Sequence, residues 1–113
     1  MINSTLSGNS ATVYGGGIFN IGTLTMQNSA LSANSASSEG GGIENYINST
    51  LTMLNSTLSA NSAIYGGGIN NETNKLHLYN TLVAYSPSGG DCRGRVDTND
   101  HNLIEDTGGD ACD

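Results

Sequence analysis

A nine-residue segment recurs along the chain at intervals of about 25 residues, and this repeat restricts the possible folds more than any other feature. The segment at residues 3–11 returns at 28–36 and 55–63, and a degenerate copy follows at 80–87. Each copy leads into a glycine-rich block: Gly15-Gly16-Gly17-Ile18, Gly40-Gly41-Gly42-Ile43, Gly66-Gly67-Gly68-Ile69 and Gly89-Gly90-Asp91-Cys92. A period of this length is typical of a solenoid, in which neighbouring units stack to bury their apolar faces.

The apolar pattern between the glycine blocks predicts strands. Residues 23–26, 50–53 and 75–78 alternate polar with apolar side chains, which is the period of a strand with one buried face. The Gly, Asn, Ser and Thr content of every copy disfavours helices. We therefore predict an all-β chain that forms a parallel β-helix (solenoid) of about 3–4 coils, each of about 25 residues. The preference for right-handed crossovers between parallel strands predicts a right-handed helix.

Asparagine occupies three equivalent positions of the repeat. An amide stacked on its equivalent in the next coil can both donate and accept a hydrogen bond, and Asn tolerates left-handed backbone at turns. We predict three structural ladders: Asn3, Asn28, Asn55 and Asn80; Asn9, Asn34 and Asn61; and Asn20, Asn45 and Asn71. The glycine triplets are predicted to form tight turns: Gly15, Gly16, Gly17, Gly40, Gly41, Gly42, Gly66, Gly67 and Gly68.

Charge is unevenly distributed along the chain. The net charge is −7, of which residues 1–90 carry −2 and residues 91–113 carry −5. This change predicts two regions, β-helix repeats at 1–90 and an acidic C-terminal tail or cap at 91–113. Only three residues are Lys or Arg, which argues against nucleic acid as a partner. No apolar run approaches the roughly 20 residues of a membrane span, and no signal peptide is visible.

The first repeat copy begins at residue 3, with no capping element ahead of it. Open solenoid ends expose core side chains and unpaired strand edges. We therefore expect further β-helix coils on the N-terminal side, in a longer parent chain.

Two motifs carry a family resemblance that covers nearly the whole chain. The Gly-Gly-Gly-Ile-x-Asn blocks resemble the repeats of polymorphic outer membrane proteins. The segment 86–92, followed by residues 102–104 and Cys112, resembles bacterial right-handed parallel β-helix proteins of the choice-of-anchor Q kind. The resemblance implies a pectate-lyase-like architecture and a secreted or cell-surface location. Polysaccharide lyases and hydrolases share this fold.

The two cysteines predict a disulfide. Cys92 takes the repeat position of the isoleucine that follows each glycine triplet, so its side chain should point inward, and Cys112 lies near the end of the acidic tail. A Cys92–Cys112 disulfide would tether that tail over the last coil and would indicate an oxidising compartment. Free core thiols are the alternative. Without a Cys-x-x-Cys motif, zinc and redox roles are disfavoured.

The acidic tail contains one candidate cation site. Asp97, Asn99 and Asp100 offer oxygen ligands at closely spaced positions. An EF-hand loop would also need Gly at its sixth position and Glu at its twelfth, but Asn102 and Gly108 stand there. We expect no metal and no cofactor, with a looser calcium site at these three residues as the alternative.

Catalysis on this fold would require carboxylates that converge on one sheet face. The position after the repeat isoleucine holds Phe19, Glu44 and Asn70, and the position before the triplet holds Tyr14, Glu39 and Tyr65. Neither glutamate has an acidic equivalent in a neighbouring coil, so both are predicted to be solvated surface residues, and no catalytic residue is assigned. The two tyrosines either pack beside the glycine turn or stack on sugar rings.

These observations predict a non-catalytic structural or adhesive segment of a bacterial cell-surface or secreted β-helix protein. Glycans or a host surface are the expected contacts. The alternative is the C-terminal fragment of a carbohydrate-active enzyme, a polysaccharide lyase or hydrolase, whose active site lies outside this segment.

Overall fold

A computed structural model describes residues 1–73, 75–105 and 112, and its regular elements in these residues are β-strands. The strands are two to five residues long, and every strand pair is parallel. Equivalent strands of successive repeats lie side by side in sheets of four and five strands. The predicted parallel β-helix is confirmed. No helix long and apolar enough to cross a membrane occurs among the described residues.

One sheet of five strands collects the nine-residue segments. Its strands, in spatial order, are β1 (Thr5–Ser7), β5 (Ala30–Ser32), β9 (Thr57–Ser59), β12 (Leu82–Ala84) and β15 (Leu103–Ile104). A short pair, β2 (Ser10–Ala11) and β6 (Ser35–Ala36), follows the turn after the first two of them. Leu6 pairs with Leu31 and Leu31 with Leu58, so the sequence repeat sets the register.

Two sheets of four strands complete each coil. The first contains β3 (Ile18–Asn20), β7 (Ile43–Asn45), β10 (Ile69–Asn71) and β13 (Cys92–Arg93). The second contains β4 (Thr23–Gln27), β8 (Thr50–Leu54), β11 (Leu76–Tyr79) and β14 (Thr98–Asp100). Strands β13, β14 and β15 continue all three larger sheets. The segment expected as an acidic tail thus supplies the strands of the last coil as far as residue 104.

The core is a narrow column of inward-facing side chains. Each coil contributes only a few of them, which explains how a chain that is 35% hydrophobic can form a buried core. The fully buried aliphatic residues are Met26, Leu31, Ile43, Leu51, Met53, Leu58, Ile69, Leu76, Leu78 and Val83.

Glycines of one triplet have different roles. The first glycine of each triplet, Gly15, Gly40 or Gly66, has a positive φ of 57–65° and makes the turn. The second lies against the next coil: a methyl group on Gly41 would overlap the main-chain oxygens of Ser62 and Gly67. The triplet therefore provides both the predicted turn and a close approach between coils.

Two of the three predicted asparagine ladders are hydrogen-bond chains that are buried except at Asn9. Asn34 Nδ2 donates to Asn61 Oδ1 at 3.1 Å, and Asn45 Nδ2 donates to Asn71 Oδ1 at 2.7 Å. The ladder that begins at Asn3 differs, because its four members are exposed and have φ of 48–51°. At these corners Asn serves chiefly by tolerating left-handed backbone.

The predicted disulfide is confirmed. Cys92 and Cys112 are bonded across 20 residues, both side chains are buried, and the Cys112 N–H donates to the Cys92 carbonyl oxygen at 3.2 Å.

We expect reduction of the disulfide to lower the free energy of unfolding by about 2–4 kcal/mol, because the cross-link restricts the unfolded chain. Thermal unfolding with and without a phosphine reductant measures this. The double variant Cys92→Val/Cys112→Ser is the control that reductant should not change; equal melting temperatures of the oxidised and reduced protein would contradict the expectation.

Candidate functional site

Two columns of side chains form one outward face beside the glycine turns. In the sheet of β3, β7, β10 and β13, inward-facing residues alternate with one outward-facing residue on each strand. The outward-facing residues pair in register from strand to strand and form the first column: Phe19, Glu44, Asn70 and Arg93. The residues before the triplets, Tyr14, Glu39 and Tyr65, pair in a second column. The columns are adjacent because the chain folds back at the first glycine: a methyl group on Gly40 would lie 2.6 Å from the Glu44 main-chain nitrogen.

Aromatic rings occupy the part of this face formed by the first two coils. The rings of Tyr14 and Phe19 are stacked with their centroids 6.1 Å apart, and Phe19 meets Tyr46 at 5.5 Å with the ring planes tilted by 51°. The three side chains, which we call the aromatic strip, remain 43%, 45% and 37% exposed. Large aromatic rings left this exposed are available for stacking on a ligand.

Carboxylates occupy the middle of the same face. Glu39, Glu44 and Glu72 each place an oxygen within 4.8 Å of the others, and we call them the carboxylate cluster. One amide holds two of them: Asn70 Nδ2 donates to Glu44 Oε1 and Oε2 at 3.1 and 3.0 Å, and to Glu39 Oε2 at 3.3 Å. Asn70 thus ties the two columns together.

Among the residues that the structure describes, one cation, Arg93, borders the carboxylate cluster. Arg93 Nη1 lies 3.9 Å from Glu39 Oε1 and donates to Asn70 Oδ1 at 3.4 Å. Its guanidinium carbon lies 4.6 Å from the centroid of the Tyr65 ring, which is a cation–π contact. The face therefore combines rings, an amide, carboxylates and one guanidinium.

The prediction that both glutamates are solvated surface residues is wrong for Glu44. Its side chain points outward from the sheet, yet the residue has 0% exposed surface. Burial raises the pKa of Glu44 to about 7, the Asn70 hydrogen bond opposes that rise, and Glu72 and Glu39 add to it. Burial also raises the pKa of the Glu72 carboxyl, again assisted by Glu39. The strand alternation alone did not reveal this burial.

Sequence reasoning also missed Asn70, Glu72 and Arg93 as neighbours of the glutamates. The repeat register could have identified two of these neighbours, because position 70 is equivalent to position 44 in the preceding coil and position 93 is equivalent to position 70. Glu72 carried no such signal, because its equivalent one coil earlier is Tyr46, which belongs to the aromatic strip.

Within residues 1–73, 75–105 and 112, three acidic side chains converge at the carboxylate cluster, but both Glu44 oxygens are covered and accept from Asn70, so we assign no metal ligands there. The earlier calcium candidates lie elsewhere, on and beside β14. Asp97 Oδ2 is 3.8 Å from His77 Nδ1, Asn99 Oδ1 accepts from Asn102 at 2.7 Å, and Asp100 Oδ1 is 2.6 Å from His101 Nδ1. Each of these oxygens thus contacts a different partner.

Comparison of the chain with protein-family models, with curated proteins and with solved structures finds no match. The choice among functions therefore depends on the face itself.

Proposed function

We propose that this chain is a non-catalytic, structural β-solenoid segment that contacts glycans through the face described above. The observation that carries this proposal is the aromatic strip, three exposed rings in which Phe19 contacts both tyrosines. Sugar rings present C–H groups that stack on aromatic faces, while their hydroxyls need hydrogen-bond donors and acceptors nearby.

Hydrogen-bonding groups lie next to the strip. The partly exposed Glu39 carboxylate pairs in register with Tyr14 of the strip, and the partly exposed Arg93 guanidinium lies beyond it, 3.9 Å from Glu39 Oε1. The repeat spacing of about 4.8 Å between coils gives the face a regular, extended shape. Such a face suits a polymeric ligand, which can span several coils with weak contacts at each.

Charge favours neutral over anionic glycans. The chain carries a net −7, and the carboxylate cluster outnumbers the one guanidinium beside it. A polyuronate would meet repulsion here, whereas a neutral chain would not.

The proposed setting is a bacterial cell-surface or secreted protein. A buried disulfide supports an oxidising compartment. The proposal involves no nucleic acid, no membrane-spanning segment and no cofactor.

Replacing Phe19 and Tyr46 together by alanine is expected to weaken binding to neutral polysaccharides roughly 5- to 150-fold, because two ring contacts of about 0.5–1.5 kcal/mol each total about 1–3 kcal/mol. Affinity electrophoresis in gels that contain mixed-linkage β-glucan, xylan, galactomannan or glycol chitin measures this. Polygalacturonate serves as the anionic comparison.

The matched control is Tyr85→Ala, since Tyr85 is 72% exposed but follows β12 in a different sheet. It should bind as the parent protein does. Absence of retardation of the parent protein in every gel would contradict the proposed function, and so would equal retardation of the double variant and the parent.

A carbohydrate-active enzyme is the second candidate, and the group that would support it lies within these 113 residues, whereas the sequence predicted an active site outside them. One observation favours it: a carboxyl group with a pKa raised to about 7 beside a second carboxylate resembles the pairs that glycosidases use. Glu44 has no exposed surface, however, so no substrate atom can reach it in this arrangement. Release of reducing ends or unsaturated products from the same polysaccharides would contradict the non-catalytic proposal.

A further inference from the structure

Glu44 is an acidic side chain in an unusual position. Its strand, β7, has Ile43 and Asn45 facing the interior, so Glu44 projects to the outside, where carboxylates are normally hydrated. Here it is fully covered and contacts one amide, Asn70 Nδ2, through both oxygens. A buried carboxylate usually requires several donors or a paired cation.

The groups around Glu44 cannot compensate a full negative charge. Glu39, across the glycine turn, and Glu72, after β10, are like charges whose oxygens lie within 4.8 Å. Arg93 on β13 is the cation on this side, but its closest carboxylate is Glu39, at 3.9 Å. The phenols of Tyr14, Tyr46 and Tyr65 on the same face can supply no positive charge.

We propose that the carboxyl group of Glu44 is a protonation-dependent latch for the glycan-contacting face. When neutral, Glu44 stays buried and Asn70 holds the two columns of the face together. When ionised, it repels Glu39 and Glu72 and requires water, so the side chains that cover it separate. The packing of Phe19, the register neighbour of Glu44, changes with them.

The direction of the pH dependence follows from proton linkage. The folded protein holds the Glu44 proton more tightly than the unfolded chain, in which a Glu carboxyl titrates near its model value of 4.5. The stabilisation from neutral Glu44 is fully present below pH 4.5, declines as the pH rises, and is lost above about 7. Acidic conditions therefore close the latch and alkaline conditions open it.

Thermal unfolding between pH 4.5 and 8.5, in the presence of EDTA, tests the latch without any ligand. We expect the melting temperature of the parent protein to fall by roughly 5–10 °C between pH 5 and pH 8. This fall is counted after subtracting the change that Glu44→Gln shows over the same pH range. Glutamine has the shape of the neutral acid and does not titrate. Glu105→Gln is the matched control, because Glu105 is exposed and glutamine can still accept from the Tyr85 N–H.

A direct titration avoids dependence on the variant. The side-chain carboxyl carbon of Glu44, followed by NMR in the parent protein, is expected to titrate well above the model value of 4.5. A Glu44 midpoint below pH 5 would overturn the latch, as would superimposable pH profiles of the parent protein and Glu44→Gln.

The functional consequence rests on the glycan-binding function proposed above. We expect the parent protein to bind neutral polysaccharide about tenfold more weakly at pH 8 than at pH 5.5, and Glu44→Gln to bind equally at both. Equal binding by the parent protein at both pH values would overturn control of the face by Glu44. If no binding occurs at any pH, the glycan-binding function fails and control of that function with it, whereas the unfolding and NMR profiles still decide the protonation of Glu44.

Discussion

The variant Gly41→Ala is expected to abolish the stacked fold. Gly41 lies where the second and third coils approach, and its N–H donates to the Gly66 carbonyl oxygen at 3.1 Å. An added methyl group would overlap the main-chain oxygens of Ser62 and Gly67. Because these atoms belong to the backbone, no side-chain rotation can relieve the overlap, and the two coils would have to separate.

Separation of these coils would break hydrogen bonds in the adjoining turns and uncover the core. We expect a cost on the order of 4 kcal/mol or more, which is comparable with the whole stability of a small domain. Far-UV circular dichroism during heating measures the result, which should be loss of the cooperative transition or a melting temperature lower by more than about 20 °C.

The matched control is Gly22→Ala. An added methyl group at Gly22 would meet no heavy atom within 4 Å, and the residue is exposed. We expect its stability to stay within about 1 kcal/mol of the parent protein. If Gly41→Ala and Gly22→Ala melt at the same temperature, the result would contradict a close approach between the second and third coils at Gly41.

The second large effect is expected at Asn61. Its Oδ1 accepts from the Asn34 N–H at 3.0 Å and from Asn34 Nδ2 at 3.1 Å, and its Nδ2 donates to the Leu31 carbonyl oxygen at 3.0 Å. Asn34 and Asn61 are fully buried. Alanine at position 61 would leave these buried partner groups without their hydrogen bonds.

An unsatisfied buried polar group costs about 1–3 kcal/mol, so Asn61→Ala should lower the free energy of unfolding by about 3–4 kcal/mol. Equilibrium unfolding in urea measures this as a lower midpoint with an unchanged slope. Asn9→Ala is the control. Asn9 donates to Asn34 Oδ1 in the same ladder but is exposed, so water can replace the lost amide and the cost should stay below about 1 kcal/mol. Equal losses in both variants would show that burial of the ladder contributes nothing.

The ladder and core positions were predictable because a solenoid translates each residue onto its equivalent in the next coil. Once the period was known, the inward positions of Ile43 and Asn45 followed from strand alternation. The disulfide followed in the same way, since Cys92 stands at an inward position of the last coil. The exposed corners at Asn3 and its equivalents show the limit of this reasoning: equivalence predicts stacking of the residues, but not whether their amides are buried.

The carboxylate cluster was not predictable by the same argument. Glu39 and Glu44 belong to one coil, so stacking does not bring them together; the left-handed turn at Gly40 does. Glu72 and Arg93 come from the two following coils. Their approach to the glutamates depends on the direction in which their long side chains extend over the sheet surface, which the repeat register does not specify.

By itself, the sequence determined the architecture, the register and the core of this protein, because each depends on which residues recur at the repeat period. Only the tertiary structure decided that Glu44 is buried, that Asn70 bridges the two columns, and that Phe19 packs between two tyrosines. These properties depend on how much water remains around an outward-facing side chain. That quantity is set by neighbours from other coils and from across the turn, which no local pattern of residues encodes.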